Sequence, residues 1–126
     1  MNAIYQDLTN RCGMTEAAAA EALAGYEIIP IVNGDVTIGH FAKQGHEIHT
    51  AVFPEHRQAG RGRAVFKAFL KMLGKDGFLV TRVPVGDEFS RSITERSGFK
   101  KTRSDGVFDY FWLDTSTCPG GRKNAA

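Results

Sequence analysis

The sequence predicts an α+β fold, with helices packed on both faces of a mixed, mostly antiparallel sheet, and three features carry that expectation. Asn33-Gly34 stands between two apolar, β-branched runs and is the strongest short signal for a hairpin. From Gly62 to Lys75 the residues Val65, Ala68, Phe69, Met72 and Leu73 recur at helical spacing, and Arg63, Lys67, Lys71 and Lys75 form a separate stripe at four-residue steps. After that helix, short apolar runs alternate with Pro and Gly breaks, so strands and helices are mixed rather than segregated into a bundle or a sandwich.

The elements follow in order. Thr15 caps a helix through Glu16-Ala17-Ala18-Ala19-Ala20-Glu21-Ala22-Leu23-Ala24, which Gly25 ends; the alanines are helix formers rather than a linker. Glu27 to Val32 forms a strand, Asn33-Gly34 turns it, and Val36 to Ala42 returns as its partner. Lys43-Gln44-Gly45 makes a second turn, and His46 to Phe53 is the third strand of an antiparallel meander. The helix from Gly62 stops at Gly74 to Gly77. Phe78 to Val83 is a short buried strand, stopped by Pro84 and Gly86. Asp87 or Ser90 starts a further helix that closes at Gly98. Phe99 to Arg103 and Val107 to Leu113 then form a hairpin around Ser104-Asp105-Gly106.

A chain of 126 residues supports one domain with one core, taken as 1–113, followed by a polar tail over 114–126 containing Pro119-Gly120-Gly121. No apolar run is long enough to span a membrane, and the first residues carry no secretory signal pattern, which places the chain in the cytoplasm. Cys12 and Cys118 lack metal-ligand spacing and are expected as free thiols. His46-Glu47-Ile48-His49 is not H-E-x-x-H, so no metal is expected. The net charge of +2 does not call for nucleic acid, and the basic stripe is expected as a solvated helix face.

The segment Val52-Phe53-Pro54-Glu55-His56-Arg57-Gln58-Ala59-Gly60-Arg61-Gly62-Arg63-Ala64 carries the chemistry. A strand leads through two glycines into a helix. Glycine lets the backbone turn sharply and lets a ligand approach the main chain. The free N–H groups of a helix's first turn, at the positive end of its dipole, hold an anion. The order R-x-x-G-x-G is neither a P-loop nor a complete G-x-G-x-x-G. With its flanks it resembles the acyl-CoA pyrophosphate signature of the GNAT superfamily of N-acetyltransferases, whose core Q/R-x-x-G-x-G/A is filled here by Arg57, Gly60 and Gly62. Glu95-Arg96-Ser97-Gly98-Phe99 resembles that family's late E-x-x-G-F, and the likeness runs from about Tyr26 to Leu113.

The resemblance implies a GNAT-like fold with a shortened N-terminus, in which the family's first strand would come from Ala3 to Leu8. It implies acetyl-CoA as co-substrate, no metal, and direct attack of an amine, small or on a protein, within a ternary complex. Backbone of Val52 and Phe53 would receive the pantetheine arm and the acetyl carbonyl. The N–H groups of Gln58, Ala59, Gly60, Arg61, Gly62, Arg63 and Ala64 would hold the pyrophosphate, with charge from Arg57, Arg61 and Arg63. Glu47 and His49, two apart on the preceding strand and so on one face, are the candidate general bases. Thr94 stands where the family often carries a tyrosine as general acid. Tyr110 and Trp112 alternate with Phe111 on the last strand, and one of those faces is a candidate lining of the acceptor cleft. The alternative is a catalytically weak or silent GNAT-fold component of a larger assembly, and a homodimer fits either reading.

Overall fold

A computed structural model describes residues 2–57 and 61–115. The helices are α1 (Ala3–Gln6), α2 (Glu16–Leu23), α3 (Arg61–Asp76) and α4 (Glu88–Arg96). The strands are β1 (Glu27–Asn33), β2 (Val36–Gln44), β3 (Glu47–Val52), β4 (Phe78–Pro84), β5 (Lys100–Ser104) and β6 (Phe108–Asp114). The architecture is α+β, in two compact units: the first ends at Val65 and the second starts at Phe66. No helix among the described residues is long and apolar enough to cross a membrane.

In the first unit β1, β2 and β3 form the expected meander, with Asn33 opposite Val36 at the first turn and Gln44 opposite Glu47 at the second. Gly34 and Gly45 take φ of +66° and +62°, the left-handed conformation that both turns require. Thr15 caps α2, its hydroxyl accepting from the Ala18 amide at 3.1 Å.

The segment Ala3 to Leu8 is not a strand. It forms α1 and enters a π-helical turn over Asp7–Arg11. Two acceptors explain why. Asn2 Oδ1 takes the Tyr5 amide at 2.7 Å, and His40 Nδ1 on β2 takes the Ala3 amide at 3.0 Å, so the first turn's amides are satisfied by side chains. Ala3 and Ile4 then bury against Ala42 and Ala51, with Leu8, Leu23, Tyr26, Ile28 and Phe53 around them. One face of β2 and β3 is thus occupied by α1.

In the second unit β6 lies between β4 and β5 and pairs antiparallel with both. Leu79, Val83, Phe111 and Leu113 are buried, as are Phe69 and Leu73 of α3, while Tyr110 and Trp112 are half-buried on the opposite side of β6 from Phe111. Phe69 meets Phe99 edge to face at 5.4 Å between centroids. Asp87 caps α4 by accepting from the Ser90 amide at 3.2 Å. Gly77 and Gly98, with φ of +85° and +100°, end α3 and α4; Gly74 lies inside α3. Buried Asp109 on β6 holds α4 and β5 through Arg91 at 2.7 Å and Lys101 at 3.3 Å. The Ser104 hydroxyl, Lys101 and Arg91 keep its carboxyl below the usual carboxylate range, against the opposing effect of burial.

Candidate active site

Side chains alternate across β3, so Glu47, His49 and Ala51 share one face and Ile48 lies buried on the other. Ala51 packs against α1, which places Glu47 and His49 on the same side of the strand, one and two steps before that contact. The two candidate bases are not merely neighbours. His49 Nε2 lies 2.6 Å from Glu47 Oε2. A third residue joins them: the Tyr26 hydroxyl donates to the same Oε2 at 2.5 Å, and the Tyr26 ring meets the His49 ring at 5.7 Å, tilted by 63°. The His49 and Glu47 side chains are 28% and 29% exposed, closed enough to be ordered and open enough for a reactant to reach.

Tyr26 was not identified from the sequence. It precedes β1 by one residue and reaches Glu47 across 21 positions, a contact that only the meander creates. The one local signal is an aromatic hydroxyl set directly before an apolar run.

The end of β3 is shaped by its pairing with β2. The Phe53 amide donates to the Ile38 carbonyl at 2.9 Å. Val52, one step earlier and opposite Gly39, therefore points both its main-chain groups away from β2. On the side away from β2 the Val52 carbonyl accepts from Arg57 Nε at 3.0 Å. The Arg57 guanidinium also stands 3.5 Å from Asp7, which Arg11 grips through both carboxylate oxygens at 2.8 and 2.9 Å. Arg57 thus fastens the short 3-10 turn Pro54–His56 to the strand end, a role the sequence did not suggest. Gly39 permits the arrangement. A Cβ there would stand 2.3 Å from the Ala51 carbonyl oxygen and 2.8 Å from Val52 Cα.

Of the expected anion cradle, Gln58, Ala59 and Gly60 lie outside the described residues. Arg61 and Gly62 open α3, Arg63 is exposed and Ala64 is half-buried. α3 is sixteen residues long, and Gly62 of the motif lies in its first turn. Lys67, Lys71 and Lys75 are exposed along it. On α4 the Thr94 hydroxyl donates to the Ser90 carbonyl at 2.8 Å, within its own helix. Among the described residues no group of three or more His, Cys, Asp and Glu side chains is arranged to hold a metal ion, and Cys12 is exposed.

No family model matches the chain, and no curated protein matches it by sequence. Solved structures do. N-acetyltransferase PseH of Campylobacter jejuni, in complex with acetyl coenzyme A, matches over 79% of this chain and 77% of its own, with a TM-score of 0.59 at 14% identity. An acetyltransferase of Agrobacterium tumefaciens matches over 88% and 82%, with a TM-score of 0.60 at 15% identity. The chain has the GNAT fold. A spermidine N-acetyltransferase chimera from Vibrio cholerae and hSSAT matches over 79% and 75%, with a TM-score of 0.54 at 13% identity. β3 precedes α3 in the chain, and R-x-x-G-x-G lies between them and runs into α3.

Proposed function

We propose that this chain is an acetyl-CoA-dependent N-acetyltransferase whose acceptor is an amine. The observation that carries the reading is the joined pair Glu47–His49 on the strand that leads into the R-x-x-G-x-G turn and α3, in a fold shared with acetyl-CoA-bound acetyltransferases. The chemistry of acetyl transfer asks for three things. The reactants must be held together, the attacking nitrogen must lose a proton, and the thiolate must leave. Amide groups at the start of α3, with exposed Arg63 beside them, suit a pyrophosphate. The Val52 N–H, directed away from β2, suits the thioester carbonyl oxygen. The joined Glu47–His49 pair supplies a proton acceptor on the same strand. The resemblance to a spermidine N-acetyltransferase makes polyamines the first acceptors to try.

A second reading is favoured by Thr94. Its hydroxyl is committed to the Ser90 carbonyl and is a poor acid, so no phenol assists the leaving thiolate from that position. On this reading the chain binds acetyl-CoA and transfers slowly or not at all, serving as part of an assembly. The test is coenzyme A thiol release from acetyl-CoA with a panel of polyamines, small amines and lysine-bearing peptides, with mass spectrometry of the acceptor. Acceptor-dependent thiol release with an acetylated product supports the enzyme. Acetyl-CoA binding with no product from any acceptor supports the binding component.

A further inference from the structure

We infer that His49 is the proton acceptor of this reaction, working through Nδ1, and that Glu47 and Tyr26 are positioning residues behind it; the inference rests on the acetyltransferase reading. Glu47 and His49 are equally suitable bases on chemical grounds, and the hydrogen bonds divide their roles. An ionised carboxylate only accepts hydrogen bonds. Across the 2.6 Å contact the proton therefore sits on His49 Nε2, which donates to Glu47 Oε2. That fixes the tautomer, so Nδ1 carries the lone pair. Among the described residues nothing bonds Nδ1: the ring's other contact is the edge-on Tyr26 ring.

Glu47 Oε2 takes two short donations, from Tyr26 at 2.5 Å and from His49 at 2.6 Å. Both donors occupy that oxygen, which serves as a fixed hydrogen-bond acceptor rather than an open site for the amine's proton. The anion is directed at the imidazole, where it stabilises the imidazolium that forms when Nδ1 takes a proton. Tyr26 holds the same carboxylate oxygen, its ring set edge to face against the imidazole. In the transfer, a neutral amine forms the N–C bond to the thioester carbonyl carbon. The nitrogen's surplus proton passes to His49 Nδ1, the C–S bond breaks with its electron pair on sulfur, and the thiolate takes a proton from solvent. His49 then returns its proton to water.

The test has an arm that needs no activity. The intact chain, labelled with nitrogen-15 in its histidines, is followed by NMR against pH, the His49 signals being assigned by their loss in His49→Gln. The expected spectrum is that of the Nε2–H tautomer in the neutral ring, with tautomer mixing in Glu47→Gln. A wild type in the Nδ1–H form, or evenly mixed, overturns the inference. In the kinetic arm, His49→Gln lowers kcat by about 10²- to 10⁴-fold with acetyl-CoA affinity unchanged. Added imidazole restores part of the rate in His49→Ala. Tyr26→Phe, which keeps the ring, lowers kcat rather than raising KM. Loss of turnover in Glu47→Gln together with an unaltered rate and pH profile in His49→Gln overturns the assignment in favour of Glu47. A wild type with the Nε2–H tautomer but no transfer to any amine overturns the acetyltransferase reading and the catalytic role with it. The NMR arm separates that result from a dyad that does not form.

Discussion

Alanine at Gly39 tests how closely β2 must approach the strand that carries the site. The added Cβ would sit 2.3 Å from the Ala51 carbonyl oxygen, where side-chain carbons keep at least 3.0 Å, so the two strands must separate by roughly 0.7 Å. Both nearest groups are backbone, Ala51 and Val52, so no flexible side-chain end can yield instead. Overpacking of this kind costs about 1–3 kcal/mol. For a chain of this length a loss of 1 kcal/mol lowers Tm by roughly 4 °C, so Gly39→Ala is expected to melt about 4–12 °C below wild type. Thermal unfolding by circular dichroism reads the stability. Hydrogen exchange at the Phe53 amide, whose bond to Ile38 lies one pair along, reads the local opening. Acetyl-CoA affinity should fall as well, because Val52 moves. A variant that melts with wild type and protects Phe53 equally would refute the close-approach argument.

Three further outcomes are expected. Asp105 accepts from the Val107 and Phe108 amides and the Tyr110 hydroxyl, and these bonds, that from Phe108 foremost, hold its pKa at about 2 against an ordinary 3.8. Its contribution is therefore complete above pH 3.8 and is lost as pH falls through about 2; the Tm gap between wild type and Asp105→Ala should narrow over that window, and a constant gap would contradict it. Burial lowers the pKa of His40 below 6.5, and the neutral ring accepts the Ala3 amide, so the support it gives α1 is complete above pH 6.5 and is lost as pH falls through the lowered value. Protection of the Ala3 amide, corrected for intrinsic exchange, should drop on acidification, whereas constant protection would show that His40 does not hold the helix. Thr94→Tyr replaces a hydroxyl committed to Ser90 by a phenol and should raise acceptor-dependent thiol release if thiolate departure is slow; an unchanged rate would show that departure needs no acid there.

Much of the fold was legible because its signals are local. Asn33-Gly34, Thr15, Asp87 and Gly98 each act within a few residues, and each turn or cap sits where the sequence put it. The period of two placed Glu47 and His49 on one face, and the structure adds that they touch. What escaped depends on partners far along the chain. Ala3 to Leu8 was expected as a strand because the fold resemblance asks for one there. Ile4 and Leu8 are in fact spaced for a helix, and His40, 37 residues from Ala3, completes its cap. Tyr26 declared nothing until β1 and β3 were brought into one meander. The bond from Arg57 to the Val52 carbonyl depends on a 3-10 turn that Pro54 begins and the sequence pattern did not reveal.

The proposed function requires acetyl-CoA to bind at the end of β3 and the start of α3. Calorimetric titration of acetyl-CoA into the wild type and into Gly62→Asp tests it most directly, since a carboxylate at the start of α3 repels a pyrophosphate. One equivalent is expected to bind the wild type and none Gly62→Asp, with the variant's thermal unfolding showing that it remains folded. No binding by the wild type, or equal affinity in a folded Gly62→Asp, would contradict it.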